Sequence, residues 1–369
     1  MDYRLVVVIL VIGVLVGYSA SKLAGELEAK TTTVEKIVTV TETAPPTVQT
    51  MSVTIVETTT TLETKTLIHT VPVLVDAVGN TLQLSEYPER VASLAPSITE
   101  TICILGECSR VVAVDSFSKK VEGLPGDVVD VGGYWSPSLE AILSVDPDIV
   151  FLCSGVPPHE HIGRQLIDQG VLVFYLRCDR SRHIDDIVWD IESIAKILGV
   201  ESKTLVSSIR ERASRLVEQI TAANLTPYSV ALVVYMDEKS VWVAGGGTFQ
   251  DYVLNMAGGA NVFSELYGWQ MVGFEHLVAE NPDYVFITTM GPGDVERLKS
   301  IVERTPLADS EAYTSGRICV LYGEAADVIS RPGPRLADAA YLLAWIMYRD
   351  KLGISIPGYL EGSYVCLGG

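Results

Sequence analysis

Residues of the types that carry catalysis are present, but none stands in a recognised catalytic arrangement. The sequence contains neither H-E-x-x-H nor G-x-S-x-G, and no glycine-rich loop ends in Gly-Lys-Ser/Thr. Its five histidines are too few to supply, with nearby carboxylates, the three or four convergent ligands of a bare zinc or manganese site. The sequence therefore predicts a protein that is not an enzyme and that holds no resident metal or cofactor.

Aromatic residues are the stronger chemical signal, because several stand at loop-like positions, most of them near glycine, instead of inside apolar runs. They are Phe117, Tyr134, Trp135, Tyr267 and Trp269. Flat rings on flexible loops suit a large, planar, partly apolar ligand. We expect these five residues to bind such a ligand, and the alternative is that one or two of them cap the core.

Three further polar features are candidates for the same site. His159 follows the apolar run DIVFLC, and the carboxyl ends of parallel strands are where such sheets bind ligands. We expect it to line a cleft, with ligation of a metal chelate as a second interpretation. Arg331 opens the last long helix and is expected to meet an anionic ligand group, whereas capping or an ion pair is favoured for Arg335. The three glycines before Thr248 are interpreted as a flexible turn, not a phosphate cradle.

The six cysteines contain no C-x-x-C pair, so neither a zinc ribbon nor a thioredoxin-like motif is indicated. Cys153 and Cys178 differ from the others, because each closes an apolar run. If those runs are neighbouring parallel strands, the two residues lie within reach of a disulfide. The alternative is that both are buried free thiols.

These residues are positioned by a pattern that occurs twice, 135 residues apart. Glu140-Ala-Ile-Leu-Ser-Val-Asp-Pro-Asp-Ile-Val-Phe-Leu is repeated as Glu275-His-Leu-Val-Ala-Glu-Asn-Pro-Asp-Tyr-Val-Phe-Ile. Each copy predicts a short helix with an acidic first turn, a Pro-Asp break and a strand covered on both faces. Two copies predict two similar α/β lobes.

Apolar runs alternate with helical stretches on both sides of a proline-free segment, which predicts parallel-type sheets joined by a single long helix. The expected organisation is an N-terminal membrane anchor or signal segment (1–24), a disordered Thr-rich stalk (25–71), an N-terminal lobe (72–181), the inter-lobe helix (182–224), a C-terminal lobe (225–352) and a tail (353–369).

The amino-terminal 70 residues predict export. Residues 5–20 are almost wholly apolar, with a length between a signal-peptide core and a minimal membrane helix. Residues 31–70 hold 16 threonines and few large apolar side chains, which indicates an extended stalk, although β-branched alternation also fits strands. The formal net charge of −19 disfavours nucleic acid as a partner.

Several stretches, taken in order, resemble the helix-linked binding proteins of ABC importers, specifically the cobalamin and ferric-siderophore receptors. They are RVASLAPSITE from Arg90, VGGYWSPSLE ending at Glu140, the Pro-Asp pair at Pro147, GTF from Gly247 and RPGPR from Arg331. The resemblance covers nearly everything from Val73 to Lys351.

The resemblance implies that ligand lies between the lobes and that one glutamate on each lobe, matching Glu140 and Glu275, docks onto arginines of the permease. In the cobalamin-binding branch a tryptophan of each lobe flanks the corrin, and Trp135 and Trp269 fall at similar places. The expected function is therefore capture of a metal chelate, cobalamin or another corrinoid or a ferric siderophore, and its delivery to the permease and ATPase of an importer.

On this interpretation the protein is a monomer held by its N-terminal segment at the outer face of the cytoplasmic membrane. Two other functions remain open, because a fold does not fix a function. One is a surface sensor or adhesin without transport, and the other is a heme- or metal-dependent enzyme.

Overall fold

The computed structural model describes residues 27–44, 47–64, 73–289 and 294–369. The predicted membrane segment, residues 1–24, lies outside them, and no helix within them is long and apolar enough to cross a bilayer. The Thr-rich segment forms two antiparallel strands, β1 (Leu27–Ala44) and β2 (Thr47–Thr64). The prediction of a disordered stalk is therefore wrong for these residues, because alternating Thr and Val favour strands. Residues 71–369 form a separate compact unit.

The N-terminal lobe is built on a five-stranded sheet of order β11-β10-β5-β6-β7, in which every pair is parallel. Its elements are β3 (Val73–Val75), β4 (Thr81–Gln83), β5 (Val91–Ser93), α1 (Pro96–Ile104), β6 (Val111–Val114), β7 (Val129–Asp130), β8 (Gly132–Gly133), β9 (Ser136–Pro137), α2 (Leu139–Ser144), β10 (Ile149–Cys153), α3 (Pro157–Asp168) and β11 (Leu172–Leu176). All five residues of β10 are buried, as expected of a strand covered on both faces.

The connection between the lobes is two helices, α4 (Ile184–Leu198) and α5 (Lys203–Ala222), so the prediction of a single long helix is wrong. Gly199 ends α4 in the left-handed conformation (φ 73°). A Cβ at this position would lie 2.8 Å from the ring of Tyr87, so both backbone and space require glycine. Of the two connecting helices, α4 packs into both cores: Ile187 lies in that of the C-terminal lobe and Ile197 in that of the N-terminal lobe.

The C-terminal lobe has a seven-stranded mixed sheet of order β15-β13-β12-β16-β17-β18, with β14 beside β12. Its elements are β12 (Tyr228–Met236), β13 (Val241–Ala244), α6 (Phe249–Met256), β14 (Gly259–Asn261), β15 (Trp269–Val272), α7 (Phe274–Ala279), β16 (Tyr284–Thr288), α8 (Asp294–Glu303), α9 (Glu311–Thr314), β17 (Ile318–Leu321), α10 (Glu324–Ser330), α11 (Leu336–Leu352) and β18 (Tyr364–Leu367).

The α/β class with parallel sheets is confirmed, with two corrections in the C-terminal lobe. Strand β13 runs antiparallel to β12, because residues 237–240 are too few for a parallel crossover; the Asp237 carboxylate holds that turn by accepting the backbone N–H groups of Lys239 and Ser240, both at 2.8 Å. The predicted tail, 353–369, contains β18, which pairs antiparallel with β17 and is joined to it by the disulfide Cys319–Cys366.

Candidate ligand-binding cleft

A cleft of about 860 Å³ opens between the two lobes. Its walls are formed mainly where strands of the two sheets end, for example by Ala95 after β5, Cys153 at the end of β10, Thr289 after β16 and Tyr322 after β17. Side chains from both lobes converge there because the carboxyl ends of parallel strands share one edge of a sheet. The volume is that of a site for an organic ligand, far larger than one for a single ion.

Aromatic rings dominate the cleft wall. Four of the five predicted aromatic residues lie on it, namely Phe117, Tyr134, Trp135 and Trp269. Trp135 is 63% exposed, so a large apolar face is free for a ligand. Four further rings were not predicted, those of Tyr235, Trp242, Phe249 and Tyr322. Tyr235 and Trp242 are cross-strand partners on β12 and β13. The antiparallel pairing that brings them together was not predicted either.

Tyr267 does not contribute to the cleft wall. Its ring is 63% exposed and lies 5.2 Å from the guanidinium of Arg182, a residue of the segment that leads into α4. The ring therefore stacks on a cation of the inter-lobe connection. This contact replaces the ligand contact that was expected of it.

His159 is fully buried beneath Tyr134 and is not among the cleft-lining residues. Its Nδ1 accepts the backbone N–H of Cys153 at 3.1 Å, and its Nε2 lies 2.9 Å from the carbonyl oxygen of Tyr134. Burial lowers the pKa of His159 to about 4, so the ring is neutral and Nε2 donates. The expected cleft role is therefore corrected, because both nitrogens already bind backbone groups, Nδ1 that of Cys153 and Nε2 that of Tyr134.

Tyr134 is held from its other end by an acid. Its hydroxyl donates to Oδ2 of Asp179 at 2.8 Å. Burial raises the pKa of both groups, and the negative charge of Asp179 raises that of Tyr134 further. Hydrogen bonds at its backbone carbonyl and at its hydroxyl therefore hold Tyr134 in one orientation. A ligand that contacts this ring binds at a lower cost in side-chain entropy.

The guanidinium groups of Arg331 and Arg335 are occupied by carboxylates. Both contact Glu100 of α1 in the opposite lobe, Arg331 also contacts Asp327 at 2.8 Å, and Arg335 also contacts Glu324. Glu100 and Arg331 are less than 10% exposed. Arg331 reaches the cleft wall, but its guanidinium is already paired with carboxylates. The sequence had favoured such an ion pair only for Arg335.

The Gly245–Gly247 turn serves close packing. A Cβ on Gly245 would lie 1.9 Å from the carbonyl oxygen of Leu266, and one on Gly246 would lie 2.1 Å from that of Ser264. The turn leads to Thr248, whose hydroxyl caps α6 by accepting from the N–H of Asp251 at 3.1 Å. The glycines thus bring the first turn of α6 to the cleft.

A disulfide forms part of the cleft floor. Cys153 ends β10, Cys178 lies two residues after the adjacent strand β11, and their Cα atoms are 5.4 Å apart. The carboxylate of Asp190 on α4 accepts the N–H groups of Arg177 and Cys178 at 2.8 and 2.9 Å. A second disulfide, Cys103–Cys108, lies in the same lobe. The bridge and Asp190 together anchor the floor to the inter-lobe helix.

The repeated glutamates occupy equivalent exposed positions. Glu140 lies in the first turn of α2 and Glu275 in the first turn of α7, and both are exposed. Each helix is six residues long and leads into a buried strand. The two lobes thus present one carboxylate each from the same local structure.

Comparison with known proteins gives concordant matches. The model of a family described as periplasmic binding protein matches residues 91–325. An uncharacterized ABC transporter substrate-binding lipoprotein of Bacillus subtilis is 26% identical over 76% of this chain and 86% of its own. A cobalamin-binding protein of Halobacterium salinarum is 24% identical over 71% and 70%. The crystal structure of a periplasmic heme binding protein from Pseudomonas aeruginosa superposes with a TM-score of 0.64 at 27% identity, covering 76% of this chain and 99% of that one.

Proposed function

We propose that this chain, which belongs to the periplasmic binding protein family, is the exported substrate-binding protein of an ABC importer and captures a metal chelate between its lobes. The similarity to a substrate-binding lipoprotein supports the transport function. The similarity to a cobalamin-binding and a heme binding protein supports the class of ligand.

The observation that carries the proposal is the aromatic lining of the inter-lobe cleft. Rings from both lobes, including Trp135 on one side and Trp269 on the other, border a space of about 860 Å³. Aromatic faces bind flat, partly apolar ligands well. The residues that the structure describes contain no cluster of three His, Cys, Asp or Glu that would hold a bare ion, so a metal would enter already chelated.

Tryptophan fluorescence of the full chain in detergent tests this function directly. Three of the five tryptophans, Trp135, Trp242 and Trp269, line the cleft. Cyanocobalamin, heme and a ferric hydroxamate are titrated in turn, with correction for absorbed light, and we expect saturable quenching by at least one. Changing Trp135, Trp242 and Trp269 to Phe should remove most of the quenching, whereas the control Trp345→Phe, which is not among the cleft-lining residues, should keep it. If none of the three chelates quenches, chelate capture is refuted.

For delivery, we propose that Glu140 and Glu275 dock onto cationic groups of the permease. Two exposed carboxylates on equivalent helices suit a partner with two-fold symmetry, and such contacts weaken as salt rises. The double variant Glu140→Ala/Glu275→Ala should bind ligand with unchanged affinity and should fail to stimulate the ATPase of the reconstituted transporter.

The matched control for docking is Glu201→Ala/Glu218→Ala, which removes the same charge from exposed positions around α5. It should stimulate the ATPase as the unaltered protein does. Equal stimulation by both double variants would refute the docking role of Glu140 and Glu275.

We further propose that residues 1–24 hold the protein, as a monomer, at the outer face of the cytoplasmic membrane. The apolar run of residues 5–20 supports this location. Fractionation of cells should recover the full chain with the membrane, and protease added to intact cells should degrade it. A chain of reduced mass in the medium would contradict the uncut anchor.

A further inference from the structure

We infer that the cleft selects a chelate whose rim carries uncharged amide groups, and that the side-chain amide of Gln250 recognises one of them. The inference rests on the proposed function, since it narrows the kind of chelate that the same cleft takes. It depends on two observations, the acidic neighbours of the cations around the cleft and an unpartnered amide oxygen on its wall.

The first observation is that the cleft offers little positive charge to an anion. Among the described residues, its wall contains two cations, Lys120 and Arg331, and two acids, Asp179 and Asp327. Arg331 is bound by Glu100 and Asp327, and Lys120 is close enough to Asp327 to lower that residue's pKa, against the raising effect of burial. The chain as a whole carries −19. A ligand with several carboxylates or catecholate oxygens would therefore lose hydration without gaining matched cations.

The second observation is the state of Gln250. It lies in the first turn of α6, lines the cleft and is only 4% exposed. Its Oε1 is buried and accepts no hydrogen bond from the described residues. A buried polar atom left without a partner costs free energy. A ligand that supplies the partner recovers that cost, so the position favours a ligand with a hydrogen-bonding group there.

The chemistry of an amide identifies that group. A glutamine side chain has one accepting oxygen and one donating NH₂. A primary amide on the ligand can form a hydrogen bond with either of them. An ionised carboxylate can accept a hydrogen bond from the NH₂ group but repels the accepting oxygen. Together with the aromatic walls, this pattern fits a planar macrocycle with primary amide arms, such as a corrinamide. It does not fit a macrocycle with free carboxylates or a tris-catecholate iron complex.

The experiment measures the affinity of the full unaltered chain for two ligands that share one ring system. They differ in whether the side arms of the ring end in amides or in carboxylates. Dicyanocobinamide carries amides, dicyanocobyrinic acid carries carboxylates in their place, and neither has the nucleotide loop of cyanocobalamin. We expect the amide form to bind at least about tenfold more tightly, the effect of leaving a buried polar group unpaired. Its affinity should change little with salt, since no net charge is neutralised. Heme and a ferric tris-catecholate should bind more weakly than cyanocobalamin.

Substitution of Gln250 tests the residue itself. Gln250→Leu keeps the volume and removes the amide, so it should weaken cyanocobalamin by about tenfold while the thermal midpoint stays unchanged or rises. Asn255→Leu, on the exposed side of the same helix, is the matched control and should bind as the unaltered protein does. Unchanged binding by Gln250→Leu would remove its assigned role without any question of folding.

The outcomes separate this inference from the proposed function. If dicyanocobyrinic acid binds as tightly as dicyanocobinamide, or if heme or the tris-catecholate binds as tightly as cyanocobalamin, the amide selection is wrong and chelate capture stands. If no chelate binds, both are wrong.

Discussion

The two lobes share a helix–turn–strand unit and differ in what is added to it. In the N-terminal lobe, α2 leads into β10, and the Asp148 carboxylate accepts the N–H groups of Glu89 and Arg90, both at 2.8 Å. In the C-terminal lobe, α7 leads into β16, and Asp283 accepts the N–H and hydroxyl of Ser229 at 2.8 and 2.9 Å. Each acid thus ties its strand to the start of the neighbouring one.

The two lobes differ in the strands that are added to this unit. The N-terminal sheet is wholly parallel, whereas the C-terminal sheet has antiparallel strands at both edges, β13 with β15 on one side and β18 on the other. Trp242 and Trp269 stand on those extra strands and face the cleft. We infer that the shared unit sets the frame and carries the proposed docking residues, while the antiparallel extension shapes the wall of the cleft.

The largest expected effect concerns the ion pairs between Glu100 of the N-terminal lobe and Arg331 and Arg335 of the C-terminal lobe. Glu100→Ala would leave the buried guanidinium of Arg331 and the partly buried one of Arg335 with fewer partners, and breaking a buried pair costs about 3–5 kcal/mol. Urea unfolding should show this loss and a broadened or biphasic transition as the lobes uncouple. Glu89→Ala is the control, because its pair with Arg110 spans 4.0 Å at a side chain 78% exposed and should be worth less than about 1 kcal/mol. Equal effects of both changes would show that the inter-lobe pair does not couple the lobes.

The shared unit is the part of the molecule that could be predicted from sequence. The repeat that begins at Glu140 and Glu275 predicted two α/β lobes, since a Pro-Asp break followed by a continuous apolar run has few structural solutions. Rings close to glycine, such as that of Trp135, were assigned to a cleft for a similar reason: their local sequence disfavours a strand interior. Both signals are local, and both copies carry them.

The additions could not be predicted, because strand direction is decided by connections. The four residues after Met236 were a usable signal for a hairpin, with an aspartate that binds its own turn, but the neighbouring βα pattern outweighed it. Gln250 gave no signal at all. Its burial without a partner exists only once α6 meets the cleft, and the pairings of the four remaining cysteines likewise depend on the fold.

A second prediction distinguishes the lobes by pH. His159 is buried in the N-terminal lobe, whereas His276 in the C-terminal lobe is half exposed. Burial lowers the pKa of His159 in the folded state to about 4 from 6.5, so between these values the unfolded state binds more protons and stability falls as pH falls. Over this window the loss reaches about 3 kcal/mol. The contribution of His159 to the stability of the N-terminal lobe should therefore be lost in acid.

The check is the difference in pH dependence between the unaltered protein and His159→Gln. Asp190 acts in the opposite sense in both proteins, because burial raises its pKa to about 7 and its contribution to stability grows as pH falls from there towards 3.8. The unaltered protein should therefore lose more stability than the variant between pH 6.5 and 4. Parallel curves would exclude His159 as the source.

The smallest expected effect tests how closely the shared units correspond. Asp146 and Asn281 occupy the same place in the two turns, 135 residues apart, with φ of 45° and 44°, and both are exposed. Valine disfavours this left-handed conformation, which costs L-residues about 1–2 kcal/mol, while aspartate, asparagine and glycine tolerate it. Asp146→Val and Asn281→Val should each lower the free energy of unfolding by about that amount, and glycine at either position should change it by less than about 0.5 kcal/mol. If valine is tolerated in one lobe only, the two turns differ in solution, and the correspondence between the lobes is limited to the strands that follow.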